Sequence, residues 1–157
     1  MGADQITDEI TESPLRLVGI SPAPLDVMAV YDAVQAQAAG AVALFVGVVR
    51  DHDAGKEVTS LAYTAHPSAE STLREVVGSV IEAESVEAGE VKAVAAVHRT
   101  GNLAVGDVAV VVAVACGHRG LAFPVCQRLV DEIKSRVPIW KHQVFADGSD
   151  EWVGTPQ

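Results

Sequence analysis

The sequence of 157 residues has only two cysteines, no long apolar run and no glycine-rich phosphate-binding motif. No apolar stretch reaches the roughly 18 to 20 residues of a membrane-spanning helix, and the acidic N-terminus lacks the basic start of a signal peptide. Cys116, Cys126 and the lone histidines His52 and His98 have no metal-ligand spacing, so neither a metal site nor a disulfide framework is predicted. Both histidines are assigned structural or surface roles. We expect a soluble, cytoplasmic protein with two buried free thiols and no cofactor.

An excess of positive charge is also missing. The formal net charge is −10 at pH 7, which argues against broad binding to nucleic acids or anionic membranes, because both require a basic surface. The acidic residues are concentrated in the N-terminal segment and in a middle helix. From residue 99 to residue 141, in contrast, six basic residues stand against three acidic ones. A small anionic ligand can therefore find a positive pocket on an otherwise acidic protein.

The pattern of apolar residues predicts an α+β fold, with helices packed on a largely antiparallel sheet that carries hairpin insertions. Residues 1–13 are polar and acidic, so we expect a disordered leader there and a single domain over residues 14–157. The predicted strands cover residues 15–20, 41–49, 58–65, 91–98, 108–116, 139–145 and 151–153. The predicted helices run from about Asp26 to Gly40, from Pro67 for about twenty residues, and from Leu121 to Arg136.

The spacing of the strands predicts two hairpins. Residues 41–49 lack polar alternation, which is typical of a strand buried on both faces. The polar loop that follows predicts a hairpin between this strand and residues 58–65. Residues 91–98 and 108–116 are expected to form a second hairpin with a wide loop. Pro124 is expected in the first turn of the last helix, where a proline is tolerated.

Two lysines near the C-terminus stand on either side of a proline. Because Pro138 cannot continue a helix, Lys134 is predicted in the last helical turn and Lys141 in the extended segment that follows. The helix macrodipole favours a lysine in a last turn, so Lys134 by itself can be purely structural. Lys141, beside Trp140 in an apolar strand, is harder to explain in this way. An amine in a partly desolvated pocket near other cations releases its proton readily, and it can then act as a nucleophile or proton carrier.

Three further cationic side chains are candidates for anion binding. His118 and Arg119 lie where a buried strand passes into a helix, so they flank backbone N–H groups that attract phosphate or carboxylate. Arg50 ends the most apolar strand, where its planar guanidinium can face an oxyanion. Local capping or ion pairing stays an alternative for all three, and Asp51 and Asp53 are ready partners for Arg50.

Several motifs, taken in order, resemble the large, catalytic subunit of molybdopterin synthase. They are FVGVVRDH at 45–52, VHRTG at 97–101, GD at 106–107, HR at 118–119 and KSRVPIWK at 134–141. The likeness extends from about Leu15 to Val153, and the order and spacing of the motifs are more specific than any one of them. The resemblance implies the α/β-hammerhead fold of that family. It also implies a homodimer that carries a small ubiquitin-like subunit at each end, which makes a heterotetramer.

The function implied by the resemblance is sulfur transfer in molybdenum cofactor biosynthesis. In that family, the C-terminal Gly-Gly thiocarboxylate of the small subunit enters a pocket of the large subunit. Two sulfurs then pass to cyclic pyranopterin monophosphate and form the dithiolene of molybdopterin. By position, the catalytic amines would be Lys134 and Lys141, and the substrate-binding residues would be Arg50, His118, Arg119 and Phe45.

The chain departs from the family pattern at two positions, and its sequence also fits two other functions. Relatives often have an acid where this chain has Thr64 and Gln143. The same positive pocket would also suit a non-catalytic binding module for a small anion or for the C-terminal carboxylate of a protein. A cysteine-dependent hydrolase built on Cys116 and His118 is the weaker alternative.

Overall fold

The computed structural model describes residues 13–85 and 90–154. The strands are β1 (Leu15–Ser21), β2 (Ala41–Val48), β3 (His52–Asp53), β4 (Lys56–Ala65), β5 (Val91–Arg99), β6 (Gly101–Leu103), β7 (Val108–Cys116), β8 (Ile139–Phe145) and β9 (Asp150–Val153). The helices are α1 (Val27–Ala33), α2 (Ala69–Glu84) and α3 (Arg119–Arg136). Apart from Ser13, the predicted leader lies outside the described residues. Within those residues no helix is long and apolar enough to cross a membrane.

The strands form two sheets, where the sequence predicted one. The first sheet has the order β1-β5-β7-β2, in which β1 is parallel to β5 and the other pairs are antiparallel. The second has the order β3-β4-β8-β9, and β6 pairs with β4. The α+β class and the largely antiparallel pairing are confirmed, as is the hairpin between β5 and β7.

The predicted hairpin between β2 and β4 is wrong. β2 pairs with β7, whereas β4 belongs to the second sheet and pairs with β3, β6 and β8. The polar loop instead folds into a small hairpin of its own, in which Asp53 lies opposite Lys56. Its two turn residues, Ala54 and Gly55, have φ values of 51° and 80°. Positive φ at both central residues is the geometry of a tight two-residue hairpin turn. This turn pairs β4 with β3, in place of the predicted hairpin between β2 and β4.

The prediction that β2 is buried on both faces is also wrong. Ala43 is buried and Phe45 packs against the core under α2 and α3. On the opposite face, Val42, Leu44 and Val48 are 38%, 43% and 55% exposed. β2 is an edge strand of the first sheet, and α1 packs mainly on β1, β5 and β7.

Helix α1 ends earlier than the sequence predicted. The carboxylate of Asp26 caps its first turn and accepts a hydrogen bond from the N–H of Ala29 at 3.1 Å. The helix stops at Ala33, well before Gly40. Beyond Val34 the segment contains only glutamines and alanines, so it has no further large apolar side chain to bury against the sheet.

Helix α3 starts two residues earlier than predicted, at Arg119. Pro124 consequently lies in the second turn, not the first. A proline there removes the N–H that would bond to the carbonyl of Gly120. Gly120 is exposed, so water can satisfy that carbonyl and the helix tolerates the proline.

The junction between β2 and α3 generates a test of the packing. A Cβ atom added at Gly40 would lie 2.5 Å from the backbone oxygen of Gly117. Because backbone atoms cannot rotate away, we expect Gly40→Ala to lower the free energy of unfolding by about 1–3 kcal/mol. Gly78→Ala is the matched control. A Cβ at that α2 position meets no neighbouring atom within 4 Å, and we expect a gain of about 0.5–1 kcal/mol.

Urea unfolding of the two variants at one fixed protein concentration measures both changes. Equal stability of Gly40→Ala and the wild type would contradict the close approach at this junction.

Candidate active site

A cavity of about 410 Å³ lies where the two sheets meet the C-terminal end of α3. Part of its wall is apolar and comes from β2, β7 and α3, with Phe45, Val110, Val112, Val130 and Ile133. Polar side chains from six different segments line the rest, namely Arg50, His52, Asp53, Tyr63, His98, Lys134, Lys141 and Gln143. An apolar cavity of this size with a few convergent polar groups is typical of a small-molecule site.

Both lysines face this cavity from separate supports. Lys134 lies in the last turn of α3 and Lys141 lies in β8, as the sequence predicted. Between them the N–H of Val137 donates to the oxygen of Ile133 at 3.0 Å, and the backbone becomes extended before Pro138. Two ammonium groups therefore reach one cavity from elements that belong to different layers of the fold.

Arg50 and Phe45 also line the cavity. The Arg50 guanidinium lies 3.4 Å from the Asp53 carboxylate, and its side chain is 71% exposed. An ion pair this exposed contributes little to stability, and this single contact leaves other N–H donors of the guanidinium available to an anion. Of the two partners that the sequence offered Arg50, Asp53 is the one it contacts, whereas Asp51 contacts the ring of His52 at 2.7 Å.

His118 and Arg119 lie at the opposite end of β2 and β7 from the cavity. His118 caps α3 with its backbone and makes no side-chain capping bond, and both side chains are exposed. β7 runs from Val112, on the cavity wall, to Cys116 near His118, a path of about 13 Å at strand spacing. Neither residue lines the cavity of its own chain in the described part of the structure, and their role stays a prediction.

Tyr63, which the sequence did not single out, lines the cavity, and so do His98 and His52, which were assigned structural or surface roles. The rings of Tyr63 and His98 meet edge to face with centroids 4.8 Å apart. The Nδ1 atom of His98 lies 2.7 Å from the carbonyl oxygen of Arg99, which places the proton on that nitrogen. Burial lowers the pKa of His98, the Arg99 contact opposes this, and the charge of Lys134 lowers it further. Burial also raises the pKa of Tyr63, so both side chains are neutral near pH 7.

Asp53 and Gln143 are two further polar residues of the cavity. Gln143 is only 2% exposed, and its amide donates a hydrogen bond to the Asp53 carboxylate at 2.6 Å. This bond, with the charges of Lys141 and Arg50, holds the pKa of Asp53 below its usual value. Gln143 shares a strand face with Lys141, two residues away, and that signal was available in the sequence. Thr64, the other departure from the family pattern, is exposed and does not line the cavity.

Comparison with known proteins identifies the family. Residues 20–136 match the model of the MoaE protein family. The chain belongs to this family. It is 40% identical over 147 residues to molybdopterin synthase catalytic subunit 1 of Mycobacterium tuberculosis, an alignment that covers 92% of this chain and 95% of that protein.

Solved structures agree with the MoaE assignment. Molybdopterin synthase from Staphylococcus aureus is similar with a TM-score of 0.76 and 30% identity, over 85% of this chain and 93% of that one. A complex of subunits 1 and 2 of the molybdopterin-converting factor from Helicobacter pylori shares the fold, with a TM-score of 0.65 and 19% identity. The resemblance found in the sequence is thereby confirmed, and the chain belongs to a family of enzyme catalytic subunits.

The two thiols of this MoaE family member lie in the hydrophobic core. Cys116 is fully buried and Cys126 is 7% exposed, and neither lines the lysine cavity. Burial raises the pKa of Cys116 to about 11, with Glu90 adding to the rise and Lys92 opposing it. Burial raises the pKa of Cys126 as well. The cysteine-dependent hydrolase therefore has no support in the geometry. No group of three or more potential metal ligands occurs among the described residues.

Alkylation tests this placement of the thiols. A thiol with a pKa of about 11 is roughly 0.03% ionised at pH 7.5, and burial also blocks the reagent. We expect native protein to take up almost no iodoacetamide in one hour, whereas protein unfolded in urea takes up two labels per chain, as counted by mass spectrometry. Rapid labelling of Cys116 in the native state with loss of activity would restore the thiol mechanism.

Proposed function

We propose that this chain transfers sulfur from the C-terminal thiocarboxylate of a small ubiquitin-like subunit to cyclic pyranopterin monophosphate, which forms the dithiolene of molybdopterin. Membership of the MoaE family supports the reaction class. The observation that carries the proposal is the convergence of Lys134, Lys141 and Arg50 on one partly apolar cavity. A thiocarboxylate and a phosphate are both anions, and three cations in a restricted space favour both.

The two amines have separate tasks in this proposal. Lys134 stabilises the negative charge on the thiocarboxylate or on the oxyanion that develops during transfer, or accepts the acyl group when deprotonated. Lys141 assists proton transfer or holds the substrate. Arg50 binds the substrate phosphate with its planar guanidinium. Phe45 packs beside the entering peptide tail or the pterin.

We further propose that a second copy of the chain covers the exposed face and free edge of β2. Val42, Leu44 and Val48 are exposed there, and Phe123 of α3, beside this edge, is 68% exposed. Together these four residues form what we call the β2 surface. An uncovered apolar edge strand is prone to pairing with another chain. In a two-fold dimer, the same surface meets itself.

This arrangement gives His118 and Arg119 a place in the site. Ala41 pairs with Cys116 at one end of β2, and Val48 pairs with Val108 at the cavity end. If two β2 strands lie antiparallel about a two-fold axis, the Ala41 end of one copy lies beside the Val48 end of the other. His118 and Arg119 of one copy then approach the cavity of the second copy. The anion pocket is proposed to combine them with Arg50 across the subunit boundary.

The small subunit completes the proposed assembly. The relative from Mycobacterium tuberculosis is named a catalytic subunit, and the Helicobacter pylori structure is a complex of two different subunits. A dimer of this chain with a small subunit on each copy is a heterotetramer. We place the reaction in the cytoplasm, where two free thiols suit a reducing compartment, and residues 14–157 are proposed to act as one domain.

Reconstitution tests the role of Lys134. Purified chain alone should make no molybdopterin, and product should form when thiocarboxylated small subunit and cyclic precursor are added. Lys134→Ala removes the charge that stabilises the reacting group, so we expect a loss of at least about 100-fold in rate. Lys92→Ala is the control, because Lys92 does not line the cavity.

Lys134→Ala should still bind the small subunit, as measured by a binding titration. Wild-type turnover in this variant would remove Lys134 from the mechanism. Equal product with and without the chain would favour the non-catalytic binding module.

The proposed dimer has its own test, which uses two leucines of equal exposure. Leu44 on β2 and Leu17 on the opposite edge strand β1 are both 43% exposed. Leu44→Asp would bury a charge in the proposed interface, so we expect monomers in light scattering and at least about a tenfold loss of synthase activity. Leu17→Asp should remain dimeric and active. A monomeric Leu44→Asp protein with full activity would show that each cavity works alone.

A further inference from the structure

Asp53 differs in charge from every other ionised residue of the cavity. Among the described residues that line it, Asp53 is the only acid, and it stands against Arg50, Lys134 and Lys141. Its Oδ1 atom lies 3.4 Å from the Arg50 guanidinium, and its Oδ2 atom accepts the Gln143 amide at 2.6 Å. The cavity thus contains one counter-charge for three cations, and both of its oxygens are engaged.

The support behind this carboxylate comes from a distant part of the chain. Asp53 lies in β3 and Gln143 in β8, with β4 between them in the sheet order. Gln143 is 2% exposed, which makes it the one buried polar side chain of the described core. Burial of an amide is costly unless it is hydrogen-bonded, so the Asp53 contact defines where this amide points. Gln143 and Lys141 share one face of β8, so the carboxylate that Gln143 holds and the Lys141 side chain line the same cavity.

We propose that Asp53, held by Gln143, is a positioning residue that directs Lys141 and Arg50 toward the anionic substrate. This proposal rests on the proposed function, since it assigns a task within the same site. Without a counter-charge, the flexible side chains of Lys141 and Arg50 would repel each other and Lys134, and they would turn toward solvent. A fixed carboxylate at their side restrains them and leaves their remaining N–H donors for the substrate.

The ionisation of Asp53 suits this task. The Gln143 hydrogen bond lowers the pKa of the Asp53 carboxyl, and the charges of Lys141 and Arg50 act in the same direction. The carboxylate therefore stays charged across the neutral range and loses its charge only as the pH falls through that lowered value. An amide at position 143 is required for this effect, because a carboxylate there would repel Asp53.

Swapping the acid of Asp53 and the amide of Gln143 distinguishes a positioning role from simple hydrogen bonding. Asp53→Asn keeps an oxygen that can accept the Gln143 bond but removes the charge. In the reconstituted synthase we expect kcat/KM to fall about tenfold, with an unchanged urea midpoint. Gln143→Glu places two carboxylates in contact, and a similar loss is expected. The double variant Asp53→Asn with Gln143→Glu restores one acid and one amide, and we expect it to recover kcat/KM to within about threefold of wild type.

A matched control uses a carboxylate outside the cavity. Asp147 lies 3.4 Å from Lys56, the same separation as in the Arg50–Asp53 pair. Asp147→Asn should leave kcat/KM unchanged. Wild-type kcat/KM in Asp53→Asn would overturn the proposal. The proposal would also be overturned if kcat/KM of the double variant were no higher than that of the single variants, because restoring one acid and one amide would then not restore activity.

A second measurement needs no catalysis. Cyanate carbamylates free amines, and peptide mass spectrometry gives the labelling of Lys141 relative to Lys92 in the same molecule. Release of Lys141 in Asp53→Asn should raise this ratio at least about threefold, and an unchanged ratio would overturn the proposal. If the wild type itself makes no product, the proposed function fails, while the labelling ratio still decides whether Asp53 controls Lys141.

Discussion

The abrupt end of α3 at Pro138 is the constraint on which the cavity depends. Helical hydrogen bonding stops with the bond from Val137 to Ile133, and β8 begins at the residue after the proline. The helix packs on the first sheet and β8 belongs to the second. Lys134 and Lys141 are consequently attached to different layers, and the space between those layers is the cavity. A helix that continued would carry both lysines on one rod, without the opposing wall that β8 supplies.

The cavity favours anions although the protein as a whole is acidic. The whole chain has a formal charge of −10, yet two lysines, one arginine and a single acid are found among the described residues that line the cavity. His98 adds no charge near neutral pH, because burial lowers its pKa. An anion entering the cavity therefore meets a positive field that the average charge of the protein conceals. The apolar wall excludes water and strengthens that field.

The β2 strand shows why composition alone did not reveal its environment. An apolar strand without polar alternation is typical of a strand buried on both faces. The sheet order places β2 at an edge, and the short helix α1 leaves Leu44 and its neighbours uncovered. A single chain buries only one face of β2, which is the basis for the proposed dimer.

Local chemistry in the sequence was sufficient for the α+β class, for most element boundaries, and for the placement of Lys134 and Lys141 around Pro138. These features depend on backbone dihedrals and short-range periodicity, which neighbouring residues control. The tertiary structure alone decided that β4 leaves β2 for the second sheet, and that Asp53 meets Gln143 across 90 residues of chain. Such contacts depend on which apolar faces pack together, and the free energy of that packing is a property of the whole fold rather than of any segment.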